Sequence, residues 1–243
     1  MAIATPNVRL IAHTMIPWEF VENERHEDGS VTVQPVHATD FLMERGEGAT
    51  DMDNLAEFAG RACYRAEGKP NPATEQNADY LANIIRQQHT SVLEHSSASF
   101  YITGVSRAFL CEITRHRHLS FSVQSQRFVD ESEANIVVPP AIRDLGMGSY
   151  LDDVMVGASR DYTRLVRDLT DAGLPRKQAR EAARAVLPNM TEVRMVVSGN
   201  IRAWRYVVAR RIDSSADAEI REVAGMILAE LKEIAPASFQ DFE

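Results

Sequence analysis

Cysteine is scarce: Cys63 and Cys111 are the only two among 243 residues. Two thiols cannot build a disulfide framework, and neither sits in the CxxC or HExxH spacing of a zinc site, so no metal is expected. Both are read as small buried packing residues. Lysine is also rare, with Lys69, Lys177 and Lys232 the only three among 26 basic residues. No run of about 18 apolar residues is present, and Met1–Ile16 lacks a basic stretch followed by an unbroken apolar core. A cytoplasmic protein that does not enter a membrane is the expectation. The chain has no GxSxG elbow, phosphate-binding glycine loop or dinucleotide fingerprint, which removes the usual support for acyl transfer, P-loop phosphoryl transfer and a Rossmann cofactor site. A formal net charge of -9 argues against a broad nucleic-acid face, which needs an extended basic field.

What remains is ordinary globular material, 44% hydrophobic and 25% charged, within the range of one domain spanning 1–243. Short β-like runs at Val8–His13 and Val31–Val36 flank a polar stretch, Glu22–Ser30, that reads as a hairpin or a mobile loop. Apolar residues at Leu55, Phe58, Ala59 and Ala62 recur at helical spacing from Asp51, with Gly68–Pro72 ending that helix. A second helix is expected over Thr74–Gln88. Ser97–Val105 alternates as a strand, and Ser106 is placed to cap a helix that delivers Arg115. Pro139 and Pro140 close the next extended segment. Helices are then expected over Gly148–Ala172 and Pro175–Leu187, a buried strand over Thr191–Ser198, and two more helices over Asn200–Arg211 and Ser215–Ile234. The mixture predicts an α+β fold, a mainly antiparallel sheet flanked by helices.

Charge is unevenly placed. Between Arg107 and Arg127 lie Arg107, Arg115, Arg117, Arg127, His116 and His118, opposed by Glu112 alone. Guanidinium forks hold phosphates bidentately, and Ser120, Ser122, Gln124, Ser125 and Gln126 add donors. A second segment repeats the imbalance, setting Arg176, Lys177, Arg180, Arg184, Arg194, Arg202, Arg205, Arg210 and Arg211 against Glu181 and Glu192. Basic residues without acidic neighbours, in an acidic chain, favour a small anionic ligand. At about 100° per residue Asn200, Trp204, Val207 and Arg211 form one helical stripe, roughly 16 Å long. Either it lies along an elongated ligand, or Trp204 and Val207 face the core while Arg211 complements the helix C-terminus; the second reading is preferred. Glu112 stands three and four residues before Arg115 and His116, a spacing at which one carboxylate can orient both. His89 and His95 match no metal spacing and read as structural.

The spacing Arg115, His116, Arg117, seven residues, Ser125 resembles the RHR-x7-S motif of the flavin-dependent thymidylate synthases. Phe58–Tyr64, His89–His95, Gly104–Arg107, Arg184–Pro188 and Asn200–Arg205 are similar to family segments as well. The resemblance implies a homotetramer that binds FAD at subunit interfaces and converts dUMP to dTMP, with methylenetetrahydrofolate as carbon donor and NADPH as reductant. On the family pattern, Ser91, Arg115, His116, Arg117, Asn200, Arg202 and Tyr206 contact flavin. Glu112, Arg115, Ser125, Gln126, Arg127 and Arg184 hold the nucleotide. Arg211 lies beside the pyrimidine, where a cation favours ionisation of N3 and drives electron density toward carbon 5.

Two positions depart from the pattern. Ser215 stands where the family usually has histidine, and Val123 where it has Gln or Glu, with Gln124 displaced by one. Ser215 reads as a cap for the following helix. The departures keep open a methyl- or hydroxymethyltransferase acting on another pyrimidine nucleotide such as dCMP, and a non-catalytic nucleotide- or flavin-binding homologue. A binder of single-stranded nucleic acid stacking bases on Phe121, Phe128 or Trp204 fits poorly with the acidic total.

Overall fold

The computed structural model describes residues 2–38, 48–66 and 71–242. From the N-terminus come strands β1 (Ile3–Ala4), β2 (Asn7–His13), β3 (Glu19–Arg25) and β4 (Val31–His37). The Glu22–Ser30 stretch is therefore a hairpin, closed by the His26 and Ser30 backbones at 3.0 Å around Gly29 at φ 85°. Helix α1 (Asp51–Ala62) starts where the Thr50 side chain accepts from the Asp53 N–H. Part of its expected stop, Gly68–Pro72, lies outside the described residues. Helix α2 (Asn77–Arg86) begins later than Thr74, because Asn71 caps a short 3-10 turn over Pro72–Thr74 first.

Strand β5 (Ser97–Ser106) runs straight into helix α3 (Arg107–Ile113), and Ser106 caps it by accepting from the Phe109 N–H at 3.1 Å. The helix ends at Ile113, so it does not reach Arg115 as expected. Strands β6 (Ser120–Val123) and β7 (Ile136–Val137) follow, then helices α4 (Pro140–Asp144), α5 (Gly148–Asp171) and α6 (Arg176–Ala183). Helix α6 stops short of Leu187 in a 3-10 turn over Arg184–Val186; Pro188 lies just beyond, disfavouring helix at the residue before it. Strand β8 (Glu192–Asn200) leads directly into helix α7 (Ile201–Arg211), and the chain closes with helix α8 (Ala218–Ile234). Asp217 caps α8 through the Glu219 N–H at 2.9 Å.

The central sheet has the order β2-β5-β8-β6, and its β6/β8 pair is antiparallel in the register Ser120↔Ser198 to Val123↔Met195. The fold is α+β. The small β1/β7 pair is parallel, a departure from the antiparallel pattern.

The described chain divides into two compact units. The first comprises Met1–Ile11, Ser99–Gly199 and Tyr206–Ile227. Its buried cluster sets Ile136, Val138 and Met155 against Ile142, Leu151, Leu187 and Met190. Gly104 in β5 has φ 68°, and a Cβ there would lie 1.8 Å from the Thr5 carbonyl oxygen. Only glycine lets those two backbones meet. Glu219, buried on α8, accepts from the Ser106 N–H at 2.7 Å and its hydroxyl at 2.6 Å, which anchors the β5–α3 junction.

The second unit comprises Ala12–Ala98, Asn200–Arg205 and Leu228–Glu243. It holds the fully buried Asp53 carboxylate, which accepts from the Ala237 and Ser238 N–H groups and the Ser238 hydroxyl at 2.6–3.0 Å. Trp204 is also fully buried and donates its indole N–H to the Ala98 carbonyl at 3.0 Å. A buried polar side chain without such a partner would cost roughly 1–3 kcal/mol.

Candidate active site

The RHR segment sits in the tight connection between α3 and β6. The Thr114 hydroxyl donates to the Leu110 carbonyl at 2.8 Å, and the His116 N–H donates to the Ile113 carbonyl at 3.1 Å. Arg115 and Arg117 point into solvent, whereas His116 is 8% exposed. The i+3 and i+4 geometry expected of Glu112 toward Arg115 and His116 requires helix that is not there.

Glu112 instead meets Arg211, from the last turn of α7. Nη1 of Arg211 donates to Oε2 of Glu112 at 2.6 Å, Nη2 to the Glu112 carbonyl at 3.1 Å, and Nε to Nε2 of His116 at 2.9 Å. A guanidinium has five N–H groups, so one on each terminal nitrogen is left for a ligand. The His116 imidazole is pushed down to about 4, by burial first and by the Arg211 cation second. It is neutral at physiological pH. The Tyr206 ring meets His116 edge-on, with centroids 5.8 Å apart.

The rest of the motif lies beyond β6. Ser125 accepts from the Arg127 N–H at 3.4 Å, Gln126 is buried, and Arg127 pairs with Glu181 at 3.5 Å. Val123 lies in β6 opposite Met195, and Gln124 is engaged by the buried Glu131 through a 3.2 Å hydrogen bond. Arg184 is exposed at the 3-10 turn after α6. Arg115, Arg117 and Arg184 form no ion pair among the described residues, in contrast to Arg127 and Arg211.

Three predicted contacts belong to the second unit. Ser91 and Arg202 line one cavity of about 360 Å3, together with Cys63, Tyr64, Tyr80 and His89. Arg202 is ion-paired with Glu94. Asn200 accepts from the Ala203 N–H at 2.8 Å, so its carboxamide oxygen caps α7; its NH2 group makes no hydrogen bond among the described residues. Trp204 and Val207 are buried, as the preferred reading of the stripe has it.

Two further expectations are overturned. Cys63 and Cys111 are both exposed rather than buried, because one follows the end of α1 and the other lies on the outer side of α3. Ser215 does not cap α8: its N–H and hydroxyl both go to Asp213, at 2.8 and 2.5 Å, and Asp217 takes the cap position. The contacts that local sequence did not reveal are Glu112–Arg211 and His116–Arg211, which join residues 99 and 95 positions apart. The excess of arginine over acid hinted at them, as did the family pattern that sets Glu112 and Arg211 at one nucleotide.

Known proteins are similar to the chain over most of its length. The family described as thymidylate synthase complementing protein matches residues 47–237. A probable flavin-dependent thymidylate synthase of Mycobacterium phage D29 is 56% identical over 210 residues, 84% of this chain and 88% of the relative. The flavin-dependent thymidylate synthase of Mycobacterium tuberculosis is 48% identical over 229 residues, 89% and 92% of the two chains. The chain belongs to the flavin-dependent thymidylate synthase family.

A flavin-dependent thymidylate synthase uses FAD, and the donors present suit that cofactor. Arginines without a carboxylate partner can neutralise diphosphate oxygens. The Ser91 hydroxyl and Arg202 guanidinium, set among tyrosine rings in an open cavity, offer the mixed polar and aromatic lining that a ring-bearing ligand requires.

Proposed function

We propose that the chain is a flavin-dependent thymidylate synthase acting on dUMP: dUMP, methylenetetrahydrofolate, NADPH and a proton give dTMP, tetrahydrofolate and NADP+. FAD, when bound, supplies the redox chemistry that NADPH feeds. The observation that carries the reading is the Arg211 guanidinium, held on three nitrogens by Glu112 and His116 with one N–H left on each terminal nitrogen. Placed beside the pyrimidine, that cation stabilises the N3-deprotonated base and enriches carbon 5 for attack on the one-carbon unit. No thiol is needed as a nucleophile.

Arg115, Ser125, Gln126, Arg127 and Arg184, with Glu112, bind the nucleotide phosphate and sugar. Ser91, Arg115, His116, Arg117, Asn200, Arg202 and Tyr206 hold the flavin. Arg115 and Arg184 support the phosphate role, since each can turn two N–H groups toward one phosphate without first breaking an ion pair, whereas Arg127 would first leave Glu181. The protein works as one domain over 1–243, assembled as a cytoplasmic homotetramer.

The test is purified protein loaded with FAD and supplied with dUMP, methylenetetrahydrofolate and NADPH, with products read by mass spectrometry. dTMP is expected from dUMP, and nothing from dCMP. A hydroxymethylated product, or turnover of dCMP, would transfer the function to another pyrimidine nucleotide. That outcome would follow from Gln124 being taken up by Glu131 and from Ser215 replacing an imidazole. Neither product, with NADPH oxidation unmoved by nucleotide, would make the chain a binding homologue. Arg211→Ala is expected to lower dTMP formation by at least about 100-fold, in line with the loss of an oriented charge in a catalytic site, while the protein keeps its yellow flavin.

A further inference from the structure

Guanidinium donors ordinarily meet oxygen. Arg211 departs from that habit by directing Nε at an imidazole nitrogen, His116 Nε2, at 2.9 Å. Arginine remains protonated and has no acceptor atom, so the bond sets the state of its partner. The lone pair of His116 lies on Nε2 and its proton on Nδ1. An imidazolium here would put a second cation against the first without a hydrogen bond between them.

The ring has little room to adopt another arrangement. His116 is 8% exposed, and its backbone is tied to Ile113 on one side and Leu119 on the other, at 3.1 and 3.2 Å. The Tyr206 ring stands against it in a T-shaped pair, with ring planes 71° apart. Glu112 supplies two further acceptors, a carboxylate oxygen and the carbonyl that ends α3. Three acceptors on two residues thus meet all three nitrogens of one guanidinium, which defines the plane of the group as well as its position.

We propose that His116 is a positioning residue for Arg211: its Nδ1-protonated ring accepts from Nε and, with Glu112, holds the guanidinium plane in which the remaining N–H groups meet the pyrimidine. This rests on the proposed function for its catalytic consequence, but not for the tautomer. It gives the middle residue of the RHR motif a task inside the protein, separate from contact with flavin.

Two substitutions separate an acceptor from a filler. His116→Gln sets a carboxamide oxygen near the place of Nε2, whereas His116→Leu fills similar space without an acceptor. With both variants folded and yellow, His116→Leu is expected to lower kcat for dTMP formation by about 10- to 100-fold, the range a misplaced catalytic group gives, with a much smaller change in KM for dUMP. His116→Gln should recover a substantial part of kcat. Equal losses in the two variants, or loss of flavin from His116→Leu with kcat per bound flavin unchanged, would overturn the positioning role.

The tautomer is read independently of turnover. In full-length protein labelled with 15N-histidine, near neutral pH, the signals missing from His116→Gln should report a protonated Nδ1 and a bare Nε2. The reverse tautomer, or an imidazolium, sinks the proposal even if dTMP is made. If the wild-type protein makes no dTMP, the function assignment falls and the nitrogen spectra still decide the state of His116.

Discussion

An arginine in the last turn of a helix gains a few tenths of a kcal/mol from the helix dipole, and that alone accounts for an arginine at position 211. Its three bonds to Glu112 and His116 are a separate matter, and they have a consequence for acid stability. Among the described residues Arg211 and Tyr206, both from α7, meet the imidazole, and Glu112 of α3 is bound to the far side of that arginine. In the unfolded chain His116 titrates near the ordinary histidine value, about 6.5, whereas in the folded protein it is pushed down to about 4. Between these values the unfolded state binds more protons, so stability falls as pH drops from 6.5 toward 4 and levels off below. The expected loss is on the order of 2 kcal/mol. Asp53, Glu131 and Glu219, raised by burial, act in the opposite sense. The wild type is therefore compared with His116→Gln: urea unfolding at pH 7 and pH 4.5 should show the wild type losing more stability than the variant. Parallel losses would contradict a buried neutral histidine.

At the scale of elements, the joint between β1, β5 and α3 is the most demanding piece of backbone in the first unit. Gly104 and Gly29 share a positive φ, 68° and 85°, but they differ in surroundings: a Cβ at Gly104 would lie 1.8 Å from the Thr5 oxygen, and at Gly29 nothing lies within 4 Å. Gly29→Ala carries the left-handed cost alone, about 1–2 kcal/mol. Gly104→Ala adds a collision with backbone that cannot rotate away, and is expected to cost about 3 kcal/mol or more. For a chain of this length that difference corresponds to a melting temperature lower by roughly 5 °C. Calorimetry that ranks the two variants equally would show that the Thr5 backbone yields freely.

For the whole molecule, the proposed homotetramer makes a direct prediction. Sedimentation equilibrium should return a mass four times the 27.1 kDa of one chain, and a mass of one chain would remove the tetramer from the assignment. The formal charge of -9 per chain sets like-charged subunits against one another. Assembly should therefore hold or strengthen as salt rises and screens that repulsion.

Sequence alone determined the element types, because local rules act over a few residues: alternation in Ser97–Val105, a serine cap at Ser106, helical spacing through α1, α5, α7 and α8. It also determined family membership, through a motif whose spacing is chemically specific. Boundaries shifted where turns intervened, at Asn71–Thr74, after Ile113 and before Ala218. Partner choice was not legible. An arginine with several carboxylates in its chain pairs with the one that the fold brings near, and Arg211 found Glu112 and His116 across 99 and 95 positions. Exposure at Cys63 and Cys111, and the turn that takes Ser215 to Asp213, were likewise decided by tertiary structure. Burial and long-range pairing depend on how elements pack, and that is a property of the assembled chain rather than of any short segment.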